Sequence, residues 1–436
     1  MKTRVRLSLL IICSLICTAC TNTVAVEEQP QAVPVQDTLG MVPDFSYVVP
    51  KQIPHIFVDT IGYRPDDKKV IFFRGNMEEL TYEVMDLATD ETVYSGTLYK
   101  IKEMDNENLY AGDFTELIQE GNYYIRHPRL GDSYEFEIAS DIYEKEFKVL
   151  QRLATEYTYT KVSDAAYVLA NMLFLQEMFG EERVDIAFVE DTLMMLLGSQ
   201  DIESGAFYSD IGKTPGTVSL TTTAQMAGVL AGYSYLYKET EPAFSLQCLR
   251  AAQKAYGYID EYRGNTDTDA WYYATTELYR ATGQLQYRNA IREYDAMEPT
   301  KKSCSLQNYT VMADFTYLST AYGTDYARCA SLLDGYMEKA QNISVNATRD
   351  NFYVLPDIED MEDGKVLGDM IILGIVNHVL SGKEYEGVER NYIHYLSGVN
   401  LEARNHLAEN VLLVDDEKKL DITNIARLMV VYGNIG

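Results

Sequence analysis

The sequence predicts two folded units in tandem, an N-terminal β-sandwich of immunoglobulin type followed by an (α/α)6 barrel. Three observations carry this expectation. Residues 53–138 hold short alternating apolar runs separated by turn residues. From Asp141 onward, about twelve segments repeat apolar residues at three- and four-residue spacing. Connections between those segments are short and several begin with glycine, which turns successive helices antiparallel.

Residues 1–19 read as a targeting signal, with Lys2, Arg4 and Arg6 before the apolar run Leu9–Cys17. Thr18-Ala19-Cys20 follows, small residues before a cysteine, as at a bacterial lipoprotein cleavage site. Cys17 departs from the leucine usual there, and an ordinary secretory signal is the alternative. Lipidation at Cys20 would place the protein on the bacterial cell envelope, outside the cytoplasm. Residues 20–52 are polar and proline-containing and read as a flexible tether.

The sandwich is expected over 53–140. Its strand candidates are Ile56–Val58, Lys69–Phe73, Tyr82–Met85, Val93–Leu98, Gly121–Arg126 and Ser133–Ile138. The barrel is expected over 141–436. Its helices fall near 141–158, 162–179, 185–198, 221–237, 242–261, 268–282, 284–294, 308–321, 324–342, 366–381, 384–397 and 421–434. Twelve helices in hairpins fit two concentric rings of six. An inner ring is buried on all sides, which suits the small and apolar run Thr222–Val229.

Composition narrows the partners. The 436 residues are 47% apolar and 24% charged, as in a globular protein, and carry a formal charge of -29. Such a charge excludes nucleic acid and an anionic lipid surface as partners of the body of the protein. A neutral polysaccharide is compatible. Beyond Cys20 the cysteines are Cys248, Cys304 and Cys329, without metal spacing. One disulfide among them is open, no metal site is expected, and no cofactor is expected.

Specific strings add a family resemblance. Ile61-Gly62-Tyr63-Arg64-Pro65 with Lys69, the loop Gln200–Tyr208, and Pro242–Ile259 each resemble segments of glycoside hydrolase family 9. So do Trp271-Tyr272-Tyr273-Ala274-Thr275-Thr276-Glu277-Leu278-Tyr279-Arg280-Ala281-Thr282-Gly283 and Tyr395-Leu396-Ser397-Gly398-Val399-Asn400. The resemblance spans roughly 53–436. It implies cellulases with an N-terminal sandwich, hydrolysing β-1,4-glucan with inversion. Two carboxyl groups about 6.5–9.5 Å apart perform that reaction.

The family's base lies in a D-A-G-D segment before the second helix. Counting back from Phe179 places Ala154-Thr155-Glu156-Tyr157 there, without either aspartate. Aligning the last helix on Ile422 places Lys419 at the family's general acid, and lysine does not protonate a glycosidic oxygen as glutamate does. The histidine-arginine string after the Gly-x-Asn element is also missing, with only Arg404 and His406 nearby. Val366-Leu367-Gly368-Asp369 stands where the family has an aromatic platform.

Glu156, Asp164 and Asp421 are the substitute catalytic candidates. The alternative for Asp164 and Asp421 is helix capping, since both precede apolar runs. Asp415, Asp416 and Glu417 lie near the acid's position. The acidic loop with Asp357, Glu359, Asp360, Glu362 and Asp363 reads as solvated rather than as a calcium loop. Tyr208, Trp271 and Tyr272 are the candidate sugar platforms, with Tyr273 beside them, because sugar faces stack on flat rings. A helix-core position is the alternative for Trp271. The expectation is a cellulase-like surface lipoprotein of polysaccharide metabolism that binds a β-glucan-type glycan without the family's hydrolysis. The alternatives are a β-glucan hydrolase with a repurposed carboxylate pair, or an envelope interaction protein.

Overall fold

The computed structural model describes residues 54–104, 106–180, 183–262, 266–297, 308–349, 363–380, 383–408 and 420–435. Cys20, Cys304, Lys419, the 415–417 acids and the acidic loop through Glu362 lie outside them. An immunoglobulin-like β-sandwich is followed by a helical domain of α/α-barrel type.

The sandwich is built from β1 (Ile56–Phe57), β2 (Val70–Gly75), β3 (Thr81–Asp86), β4 (Thr92–Thr97), β5 (Tyr99–Glu103), β6 (Asn108–Asp113), β7 (Gly121–His127), β8 (Gly131–Asp132) and β9 (Phe136–Ile138). One antiparallel sheet runs β1-β2-β6-β5; the other runs β4-β3-β7-β8, with β9 also on β7. Strands β5, β6 and β8 were not among the sequence candidates, and Ser133–Ile138 forms strand only from Phe136.

The run Val70-Ile71-Phe72-Phe73 shows why both faces of one sheet are apolar. Ile71 and Phe73 point between the sheets, onto Tyr63, Tyr82, Val84, Tyr123, Ile125 and Phe136. Val70 and Phe72 point the other way, with Phe57, Leu109 and Ala111, onto Val399 and Ala403 of the helical domain. A strand covered on both faces needs a continuous apolar run rather than an alternating one.

Twelve helices of eleven residues or more follow among the described residues. They are α1 (Ile142–Glu156), α2 (Val162–Phe179), α3 (Ile186–Leu197), α4 (Leu220–Tyr237), α5 (Pro242–Glu261), α6 (Thr268–Thr282), α7 (Leu285–Met297), α8 (Asn308–Ser319), α9 (Tyr326–Ala347), α10 (Asp363–Val379), α11 (Glu386–Leu396) and α12 (Ile422–Ile435). The even-numbered helices are the inner ones. They meet side by side in the order α10–α12–α2–α4–α6–α8. Burial follows that division: α2, α4, α6 and α12 are covered almost all round, whereas α1, α3, α5 and α9 bury one stripe. Gly283 ends α6 in the left-handed conformation at φ 67°, its N–H donating to Tyr279 O at 2.7 Å.

A buried polar junction joins the two domains. Asp59 Oδ1 accepts from the N–H groups of Ile61 (2.7 Å) and Gly62 (3.0 Å), while Oδ2 lies 2.7 Å from His394 Nδ1 on α11. Asp67 accepts from Tyr143 Oη on α1 (2.7 Å) and from Arg390 Nη1 on α11 (2.9 Å). Lys69 is buried, and its Nζ donates to the carbonyls of Pro65 (2.7 Å) and Asp67 (3.1 Å). Burial lowers the Lys69 ammonium from its usual range, Asp67 and other acids opposing that shift.

Candidate functional site

The N-termini of the inner helices α2, α6, α8 and α12 share one end of the barrel. That end gathers Tyr157, Asp164, Asp267 and Asp421, a placement the electrostatics record. The charge of Asp421 reaches Asp164, and both acids reach Tyr157. Asp164 and Asp267 in turn act on Tyr309.

The connector between α1 and α2 is only Tyr157–Lys161. It holds no aspartate and leaves no space for a catalytic loop. It is laced to the loop after α3: Val162 N donates to Ser209 O (3.0 Å), Ile211 N donates to Thr160 O (3.0 Å), and Lys161 Nζ donates to Asp210 (2.6 Å). Tyr159 packs edge-on against Tyr157, ring centroids 5.0 Å apart.

The three carboxylate candidates sit differently. Glu156 is the exposed last residue of α1. Asp164 is half-buried in the first turn of α2, within hydrogen-bond distance of Ser163 Oγ (3.1 Å). Lys161 occupies the N-cap position, so Asp164 does not cap that helix. Its carboxyl is raised, first by burial and also by the charge of Asp421, with Ser163 and Lys161 pulling the other way. Asp421 does act as a cap: Oδ1 accepts from Thr423 N (3.0 Å) and Asn424 N (3.1 Å), at the start of α12.

The three expected sugar platforms have no open ring face. Trp271 is 2% exposed and Tyr272 is fully buried, because both lie on α6, an inner helix covered on every side. Tyr272 stacks on Tyr294 with ring centroids 3.9 Å apart, and its hydroxyl donates to Asp314 Oδ1 (2.7 Å) while accepting from Arg328 Nη2 (2.8 Å). Tyr273 is buried as well and packs on Tyr309. Tyr208 is also buried, its hydroxyl donating to Asp201 Oδ2 (3.0 Å). Asp201 also accepts from Ser204 N and Oγ, both at 2.7 Å, and these bonds lower its carboxyl to about 2. A ring enclosed this way cannot stack on a sugar.

The half-buried aromatics near the mouth are instead Tyr157, Tyr159 and Tyr167. The sequence carried a signal for Tyr159, in the break between the helical runs 141–158 and 162–179, and for Tyr157 at the end of the first, but not for Asp267, which caps α6 through Ala270 N (2.9 Å). Among the described residues there is no group of three or more histidine, cysteine, aspartate or glutamate side chains arranged to hold a metal ion. Cys248 and Cys329 are free thiols.

Known proteins resemble the chain over both domains. The model of glycosyl hydrolase family 9 matches residues 152–407, and that of the cellulase N-terminal ig-like domain matches residues 51–132. Endoglucanase D of Acetivibrio thermocellus is 34% identical over 94 residues, 21% of this chain and 15% of that enzyme. The matched stretch is thus a small part of that relative's length. In structure, a family 9 protein of Bacteroides ovatus superposes with a TM-score of 0.69 at 15% identity, covering 87% of this chain and 98% of that one. A metagenome-derived family 9 endoglucanase superposes with a TM-score of 0.66 at 17% identity, covering 80% and 84%.

Proposed function

Because this chain belongs to glycosyl hydrolase family 9, we propose that it binds a β-glucan-type polysaccharide at the bacterial cell surface without the family's hydrolysis. The observation that carries this reading is the connector Tyr157–Lys161. It is too short for a base-bearing loop and contains no carboxylate. Asp421, at the start of the neighbouring inner helix α12, spends one oxygen on two backbone amides as a helix cap. Inverting hydrolysis needs one carboxyl to give a proton and a second to take one from water. Tyr157, Tyr159 and Tyr167 supply ring surface at the mouth, suited to the apolar face of a neutral sugar. Lipid on Cys20 would hold this glycan-facing domain at the envelope by a tether.

Two measurements on the soluble chain test the reading. Cellohexaose should bind in calorimetry, and Tyr157→Ala should weaken that binding. Reducing-sugar release from mixed-linkage glucan should not exceed the buffer blank. Turnover at a rate ordinary for enzymes, about 1 s⁻¹ or more, would refute it. Mass spectrometry of the envelope-extracted protein should find a diacylglyceryl group on Cys20.

One observation favours a second reading, hydrolysis by a repurposed pair. Asp164 is half-buried with a raised carboxyl, and the charge of Asp421 contributes to the rise, as in an acid that must hold a proton. Asp421→Asn decides that case, because asparagine caps a helix as well as aspartate but cannot exchange a proton. Activity surviving in that variant excludes the pair.

A further inference from the structure

We propose that the cavity bounded by α7, α8 and α9 binds a small anion, the carboxylate of an acidic sugar or a phosphate group. The cavity measures about 460 Å³, within the roughly 300–1,000 Å³ of small-molecule sites. It lies to the side of the barrel, between two outer helices and over an inner one, and shares no lining residue with the mouth.

Its charges are unevenly committed. Every carboxylate that lines it already has a partner. Asp295 takes Arg328 Nε on both oxygens, at 3.0 and 2.8 Å. Asp314 accepts the hydroxyls of Tyr272 (2.7 Å) and Tyr336 (2.9 Å). Asp325 accepts Arg328 N (3.2 Å) as the cap of α9. The cations are not so matched. Arg288 and Arg292 also line the cavity, and among the described residues neither has an ion pair. They stand four residues apart on α7, on one face of the helix, where like charges repel. An oxyanion between them relieves that repulsion and matches the fork geometry of guanidinium.

Two buried polar groups point to the same conclusion. Arg328 Nη1 and Thr310 Oγ1 are buried without a hydrogen-bond partner, and both residues line the cavity. Leaving such groups unsatisfied is costly, and a ligand or its water shell removes the cost. Arg328 is already fixed, its guanidinium lying 4.4 Å from the Tyr317 ring centroid and its Nε held by Asp295. The surroundings therefore need little ordering when an anion arrives. In a chain of formal charge -29, this lining is formally neutral, three arginines against three aspartates, and two of its guanidiniums have no ion pair among the described residues.

Calorimetry on the full chain tests the proposal with four probes: glucuronate, glucose 6-phosphate, inorganic phosphate and glucose. At least one of the three anions should bind saturably, and glucose should bind about tenfold more weakly or not at all, as expected where charge-assisted bonds decide. Glucuronate binding without inorganic phosphate binding assigns the acidic sugar; binding of either phosphate probe assigns the phosphate group. The double variant Arg288→Gln/Arg292→Gln should weaken binding about tenfold or more and leave the melting temperature unchanged, since neither side chain holds an ion pair among the described residues. The proposal falls if no anion saturates, if glucose binds as well as the anions, or if the double variant binds like the parent.

Discussion

Replacing Glu389 by glutamine should alter how stability depends on pH. Glu389 lies on α11 and is fully buried. Its oxygens accept from Asn377 Nδ2 (2.8 Å) and Asn434 Nδ2 (2.7 Å). Burial raises the carboxyl to about 8, and the two amides that favour its charged form do not offset that. In the unfolded chain it titrates near ~4.3. Below that value both states are protonated, and the group adds no pH dependence. From there up to its folded value the unfolded chain releases a proton that the folded chain keeps. Stability therefore falls by about 1.4 kcal/mol per pH unit, or roughly 2.7 kcal/mol between about pH 5 and pH 7. Glutamine does not titrate. It can accept only one of the two amides, a fixed cost of about 1–3 kcal/mol at any pH. The stability of Glu389→Gln minus that of the parent should thus rise by roughly 2.7 kcal/mol over the same interval, whatever its starting value. Urea unfolding of both proteins, followed by circular dichroism at both pH values, measures this difference. A difference that stays constant with pH would show that Glu389 is ionised in the folded state.

Three further outcomes follow from named contacts. Arg280, 2% exposed, pairs with Glu277 Oε2 (2.7 Å) and with Glu177. Arg280→Ala leaves Glu277 buried beside no cation and should cost about 3–5 kcal/mol in urea unfolding. Gly398 holds φ at 137°, and a Cβ there would lie 2.6 Å from the Val58 carbonyl. Gly398→Ala should cost about 1–3 kcal/mol and lower the melting temperature; an unchanged melting temperature would mean the inter-domain contact yields freely. Asp421→Ala should lose about 0.5–2 kcal/mol through the α12 cap while Asp421→Asn loses little, a contrast that thermal unfolding of the two variants reads directly.

The order of domains and most helix positions were legible because the signals are local. Apolar spacing in 242–261 and 268–282 marks α5 and α6 to the residue. Strand β6, Asn108–Asp113, was not legible: four buried positions sit inside Asn-Leu-Tyr-Ala-Gly-Asp, which starts and ends in turn residues. Three of the five residues of strand β5, Tyr99–Glu103, are lysine or glutamate, and it lies at a sheet edge, where charge is tolerated. The aromatic platforms failed for a different reason. The tyrosines of α6 read equally well as a cleft wall or as core, and only the ring of neighbouring helices decides for core. The Asp164 cap failed because Lys161 supplies an extended residue three positions earlier, and nothing in residue type separates a cap from a first-turn acid. Glu389 gave no sign at all. Between Val388 and Arg390 on an outer helix it reads as a solvated charge, while in the fold it faces Gly374 and Asn434.

The strings that carry the family resemblance share a physical property. Several of their polar letters are buried and locally satisfied. Gly62 donates its amide to Asp59, and the Tyr63 hydroxyl accepts Asp59 N (3.0 Å). Gln200 Nε2 donates to the carbonyls of Gly205 (2.9 Å) and Ala251 (3.0 Å), fastening the loop after α3 to α5. Glu277 accepts from Thr316 Oγ1 (2.8 Å) as well as from Arg280, tying α6 to α8. Asn400 Nδ2 donates to Tyr395 O (2.7 Å) and Arg404 O (2.9 Å), shaping the turn that meets the sandwich. Changing any one of these strands its buried partners at about 1–3 kcal/mol each, a large share of the stability a domain has. An acid at an open mouth is under no such constraint. Where it makes no capping bond, water solvates what it leaves behind, and its loss is near-neutral for folding. A lineage can therefore shed its proton-transfer groups while every scaffold string stays legible, so similarity in those strings reports the architecture and is silent about the reaction.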